Sequence, residues 1–327
     1  MPDQHVAGQA FFCSISDNEV EKAVSGVLNP SFVLPVHAGI GRPGHFYAMK
    51  ICLPLQFICM SVALTRPGPV SPFVKSIFLG WLLILTVSSA FSQRLPSNVY
   101  RWDQAPVSKH TGYEDRTLLE GITRDFNDFS VHALTVFPNQ PAQPVQQLDE
   151  ELMIIVKEGE LSVLVAGKRK TLGPGSIVLI MPGDAYCLEN KSSKPLTYYV
   201  MRYTSNEVPD LDLYQMPGES FWVDWKEVPF QSHDKGGIRR MFDRATVMTK
   251  RFEMHVTTLK AGLWSHPPHT HRAAEILLLI ENKAQESIDG ILQPAGVGDV
   301  IFLESNVPHA IQNTSQGTCT YFAFQFE

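Results

Sequence analysis

The chain is poor in charge and in cysteine. Only 18% of its 327 residues are charged, and the formal net charge is −6. A balance that weakly acidic implies no basic face, so nucleic acid is not an expected partner. Five cysteines without a single CxxC pair are too few for a disulfide scaffold and offer no cysteine zinc site. No long amphipathic helix is legible. What is present is an apolar content of 44%, enough for a packed core, together with 23 prolines and 22 glycines. Those turn formers suit short strands better than long helices.

Acidic residues are missing from one long stretch altogether, between Glu21 and Asp103. Inside it Lys75 precedes the mostly apolar run Ile77–Val87, and small residues follow at Ala90 and Ser92. A positive charge, an uncharged run too short for a spanning helix and a small-residue end describe a secretory signal peptide over 60–92. The run also allows a retained signal-anchor. Residues 1–59 carry no usable motif and read as a leader or an over-long N-terminus. The expected mature chain, 93–327, is then exported, to the periplasm, with no stable membrane span after processing. Of the cysteines only Cys187 and Cys319 remain in it, available to pair in an oxidising compartment.

The mature chain repeats itself at a spacing of 123 residues. Trp102 recurs as Trp225, Arg116 as Arg239, Phe129 as Phe252, His132 as His255, Gly175 as Gly298, Asn190 as Asn313 and Tyr198 as Tyr321. One offset shared by so many pairs indicates a tandem duplication. It divides the chain into a first domain, 93–204, a connector, 205–220, and a second domain, 221–327. Each unit reads as short strands: Met153–Val156, Glu160–Val165, Ser176–Ile180 and Leu196–Tyr203 in the first, with Ile276–Ile280, Asp299–Leu303 and Thr320–Phe326 in the second. The fold class is all-β, with a small barrel or a sandwich in each unit. The matched pairs Trp102/Trp225 and His132/His255 read as repeated structural packing.

Candidate chemistry is confined to the second unit. His269, His271 and Glu275 lie in GLWSHPPHTHRAAEILLLIEN, and His309 in GDVIFLESNVPHAIQN. Residues two apart on a strand share a face, so His269 and His271 are expected to present their imidazoles together. Three imidazoles and a carboxylate form a mixed donor set for one divalent transition metal, Mn or Fe first, Zn or Ni as alternates. These two motifs resemble those of the cupin superfamily, with Asn282 and Asn306 where the family carries glycine. The resemblance covers nearly all of 98–327. It implies a bicupin, with a jelly-roll β-barrel in each half and His269, His271, Glu275 and His309 as the metal ligands. His266 is expected on the rim of the site.

The first unit keeps the frame and loses the donors. Asn139 stands where Gly262 stands, Tyr186 stands at His309, and no histidine occurs in Gln143–Glu151. Glu150 and Glu151 fall near the place of Glu275, with one residue of slippage. The resemblance implies an enzyme acting on a small polar organic molecule, of the dioxygenase, decarboxylase, isomerase or aminohydrolase type. The alternative is a non-catalytic module that binds a sugar or an organic acid. Glu253, Arg251 and Gln325 are the candidates for a protein base. A homo-oligomer is compatible with either reading.

Overall fold

The computed structural model describes residues 93–141, 143–209 and 219–327. The expected signal peptide and leader therefore lie outside the described residues, as does most of the connector. Among the described residues no helix is long and apolar enough to cross a membrane.

The first half contains β1 (Asn98–Tyr100), β2 (Val107–His110), β3 (Tyr113–Gly121), β4 (Phe126–Val136), β5 (Glu151–Glu158), β6 (Leu161–Val165), β7 (Lys168–Leu172), β8 (Ile177–Ile180), β9 (Tyr186–Glu189) and β10 (Leu196–Ser205). The second half repeats the series as β11 (Phe221–Val223), β12 (Gln231–His233), β13 (Gly236–Arg244), β14 (Phe252–Leu259), β15 (Ala274–Glu281), β16 (Ala284–Ile288), β17 (Ile291–Ala295), β18 (Val300–Leu303), β19 (His309–Asn313) and β20 (Cys319–Phe326). The strands expected at Met153–Val156, Glu160–Val165, Ser176–Ile180, Leu196–Tyr203, Ile276–Ile280, Asp299–Leu303 and Thr320–Phe326 are present, within a few residues of their expected ends.

Each half is an open sandwich. In the first, a seven-stranded sheet of order β11-β8-β5-β10-β4-β3-β2 accompanies a three-stranded sheet, β7-β6-β9. In the second, β1-β18-β15-β20-β14-β13-β12 accompanies β17-β16-β19. Among the described residues no sheet closes on itself, so the expected jelly-roll barrels are corrected to paired open sheets. The edges explain why. β2 (VSKH), β12 (QSH) and β7 (KRKTL) are mostly exposed and polar. Such edges are solvated and discourage further pairing.

The two halves exchange their first strands. β1 pairs antiparallel with β18 of the second half, Val99 opposite Ile301. Its equivalent 123 residues later, β11, pairs with β8 of the first half, Trp222 opposite Val178. The exchange explains why strands such as LMIIV in β5 and ILLLI in β15 are apolar at every position. Leu152, Ile154 and Val156 face the interior of the first half, whereas Met153 and Ile155 join a core shared by both halves. Leu277 and Leu279 likewise face inward, and Ile276 and Leu278 face the shared core. A strand buried on both faces reads as a continuous apolar run rather than an alternation. Phe126, Phe129, Phe252 and Phe326 pack together in the shared core, with ring centroids 4.9–6.3 Å apart.

The Cys187–Cys319 pairing does not form. Cys319 is a free thiol, buried in β20 among Leu259, Ile311 and Tyr321.

Candidate metal centre

The inward parity of the second half fixes the site. Glu275 shares the face of Leu277 and Leu279 on β15, and His309 shares that of Ile311 on β19. His269 and His271 sit on the segment leading into β15. That segment is a loop and not the expected strand. Pro267 and Pro268 supply no N–H to a ladder, which leaves two isolated bridges, Trp264 with Gln312 and, at the site, His269 with His309. In the latter the His269 amide donates to the His309 carbonyl at 3.2 Å, and the His309 amide returns the bond at 3.0 Å. The Asn306 amide donates to the His271 carbonyl at 2.8 Å. Asn306 and Asn282, which replace glycines of the family pattern, both have φ of +62°. Asparagine tolerates that left-handed conformation, so the turns survive the replacement.

His269, His271 and His309 bring ring nitrogens within 4.8 Å of one another. The Nδ1 atoms of His271 and His309 each lie 2.8 Å from a backbone carbonyl, of Ala273 and Val307 respectively. Those bonds require Nδ1–H, which turns the Nε2 atoms toward the centre. There both meet a single oxygen of Glu275, Oε2, at 3.1 Å from His271 and 3.0 Å from His309. If each Nε2 also carried a proton, both rings, the half-buried His271 and the buried His309, would be imidazolium. A cation at the centre removes that requirement. Two ligand atoms bound at right angles about 2.1 Å from one ion stand about 3 Å apart, which is the spacing observed. The donor set therefore fits a divalent transition metal.

Charge follows the same geometry. Burial would raise the Glu275 carboxyl, but hydrogen bonds from His271 and His309, and their charge, outweigh it and hold it at about 2. The Glu275 bond raises His271 against the opposing effect of burial. Burial, reinforced by the neighbouring imidazoles, lowers His269.

The cluster opens on a cavity of about 260 Å³. Gln325 lines it, its Nε2 3.3 Å from His271 Nε2. His266 lies edge-on to His269 with centroids 4.1 Å apart, on the rim as expected. Two of the sequence candidates for a base are engaged elsewhere: Glu253 bonds His255, and Arg251 forms a two-pronged pair with Asp243. His132 is similarly held by Asp115 at 2.8 Å.

Sequence reasoning missed Glu286. It lies on β16, lines the same cavity, is fully buried, and neither carboxyl oxygen has a hydrogen-bond partner. Burial, and then the nearby Glu275 charge, push its carboxyl well above the ordinary range. The signal available was its register: the equivalent position in the first half is the apolar Val163.

The strand register corrects one expectation. Gln325 pairs with Glu275 as Arg202 pairs with Leu152. There is no slippage, and the equivalent of Glu275 is Leu152. Glu151 points the other way, into the shared core, where it accepts from the Tyr203 hydroxyl and the Met248 amide. Gln146 stands for His269, Leu148 for His271 and Tyr186 for His309. Among the described residues the first half thus holds no equivalent donor set.

The sequence profile of the cupin domain matches residues 136–202 and again 255–324. The chain therefore carries two cupin domains in tandem, and among the described residues only the second holds the histidine cluster. No curated protein gives a significant match. Among solved structures, the putative glyoxylate-induced protein of Pseudomonas aeruginosa is similar at 17% identity and a TM-score of 0.56, over 73% of this chain and 92% of that one. AerE of Microcystis aeruginosa is similar at 15% identity and a TM-score of 0.53, over 68% and 97%. The oxalate decarboxylase of Lactobacillus farciminis, in a formate complex, gives 10% identity and a TM-score of 0.55, over 72% and 88%. Likeness at these identities establishes a shared fold.

Proposed function

We propose that this cupin protein is a metal-dependent enzyme acting on a small polar organic molecule in the cavity of its second domain. The observation that carries the reading is the convergence of two oriented Nε2 atoms on one oxygen of Glu275. His269, His271, Glu275 and His309 hold a single divalent metal, Mn or Fe before Zn or Ni. Bound there, the metal supplies a Lewis acid that polarises an oxygen of the substrate. The chain's own groups shape the rest. Gln325 and His266 offer hydrogen bonds at the edge of the cluster, and Glu286 presents a carboxyl group that burial pushes above the ordinary range. A cavity of about 260 Å³ restricts the substrate to a small molecule. A small organic acid is the substrate class favoured by the similarity to an oxalate decarboxylase. The reaction is of the decarboxylase, dioxygenase, isomerase or aminohydrolase type.

The test is thermal melting of the wild type and His309→Tyr, each with and without chelator. Bound metal stabilises only the folded state. Chelation should lower the wild-type melting temperature and leave that of the variant unchanged, while the two metal-free proteins melt alike. Equal destabilisation of the variant with and without metal would instead make His309 a packing residue.

We further propose export, with cleavage after Ser92, on the strength of Lys75, the run Ile77–Val87 and the small residues Ala90 and Ser92. N-terminal sequencing of the secreted protein should begin at Gln93. A start well before residue 80 would contradict export by this segment.

A further inference from the structure

A second cavity lies in the domain without the histidines. Its volume is about 640 Å³, against about 260 Å³ at the candidate metal centre. The duplication shows what has replaced the metal set there. Gln146 and Tyr186 occupy the places of His269 and His309, and the Tyr186 hydroxyl donates to Gln146 Oε1 at 2.8 Å. Leu148 and Leu152 occupy those of His271 and Glu275. Arg202 occupies that of Gln325, the residue whose amide lies 3.3 Å from His271 in the second domain. A fixed guanidinium therefore stands beside the position that holds the cation-binding cluster in the other half.

We propose that this cavity is a metal-independent binding site for a small organic carboxylate with an apolar body. Arg202 supplies the positive charge. Its Nε is engaged by Glu150 at 3.3 Å, and its guanidinium lies beside the Tyr186 hydroxyl. A guanidinium has five N–H donors in a planar fork, so one such pair leaves donors for a ligand carboxylate. Gln146 accepts from Tyr186 through its carbonyl oxygen, which leaves its amide N–H groups to donate. The acidic groups on the wall are already paired, Asp115 with His132 and Glu189 with Lys191. Leu134, Leu152 and Val200 form an apolar patch on a wall that elsewhere carries Asn139, Gln140, Gln143 and Asn190. The Arg202 guanidinium, directed donors and that patch together suit an anionic head on a body with an apolar face.

The experiment is calorimetric titration of the full chain with benzoate, and with benzamide as its uncharged counterpart. Three proteins are compared: wild type, Arg202→Gln and His309→Tyr. Glutamine is the residue the second domain carries at this position, so the frame accommodates it. Wild type should bind benzoate and not benzamide. Arg202→Gln should weaken benzoate binding at least ~tenfold, the loss of one charge-assisted pair. His309→Tyr should bind benzoate like the wild type. Leu134→Trp, which fills the cavity, should abolish binding without touching the charge. The proposal is overturned if benzoate does not bind at millimolar concentration, if benzamide binds as well, or if binding survives Arg202→Gln and is lost in His309→Tyr. That last outcome would place the carboxylate at the metal centre. Because the Arg202 arm does not depend on metal content, it stands or falls separately from the reading of the second domain.

Discussion

The indole of Trp102, in the first half, lies against Gly298 of the second, where an added Cβ would stand 3.0 Å from the ring. Its repeat, Trp225, lies against Gly175 of the first half, where a Cβ would stand 2.6 Å away. The pairs are anchored alike. The Trp102 amide donates to Asp299 and the Trp225 amide to Ser176, while Arg116 and Arg239 cover the outer faces of the rings. Each domain therefore reaches across and closes a turn of the other.

Gly175→Ala and Gly298→Ala should both destabilise the protein. Each glycine also has a positive φ, +84° and +94°, so strain adds to the displaced ring. The expected loss is about 1–3 kcal/mol for each, read from denaturant unfolding. A neutral effect at both sites would mean that the reciprocal contacts do not hold the halves together.

Glu286→Val should stabilise the chain. The wild-type residue is a buried carboxyl with no partner for either oxygen. Removing such a group recovers about 1–3 kcal/mol of desolvation, and Val163 packs at the equivalent position of the first domain. A lower melting temperature in the metal-free variant would contradict this.

Glu151 should give the stability a pH dependence. Burial raises its carboxyl to about 7 from an ordinary 4.5, although the Tyr203 hydroxyl and the Met248 amide oppose the rise. The folded state then holds the proton more tightly than the unfolded chain. Its contribution is fully present below about pH 4.5 and is lost as pH rises through about 7. The change across that window is up to ~3 kcal/mol. Glu151→Gln, which cannot ionise, should flatten this segment of the stability–pH curve. An unchanged slope in the variant would assign the dependence to other groups.

Much of the molecule was legible because its signals are local. The strands Met153–Val156 and Ile276–Ile280 announced themselves through unbroken apolar runs, and the 123-residue offset paired Trp102 with Trp225 before any contact was known. The exchange of β1 and β11 was not legible. Three residues each, NVY and FWV, carry no mark of the sheet they join, because partner choice is a tertiary matter. The open edges left a trace in the lysines of KRKTL, which the family resemblance overrode. At the site, His309 and Glu275 were readable from motif spacing. The HxH segment was expected on a strand, and the signal against it, Pro267 and Pro268, was present in the sequence but not used. Glu286 was hidden because an acidic residue in AQESI reads as a surface position until its neighbours are known to face inward. The apparent slippage at Glu151 arose from matching residue type instead of register. Leu152 is the true equivalent of Glu275, and only strand pairing shows it.

The most direct measurement is elemental analysis of the purified chain beside His309→Tyr. The account predicts one equivalent of a divalent transition metal per wild-type chain and none in the folded variant, because tyrosine already occupies the equivalent position, Tyr186, in a domain without the donor set. Two equivalents per wild-type chain, or the same content in both proteins, would contradict a single centre built from His269, His271, Glu275 and His309.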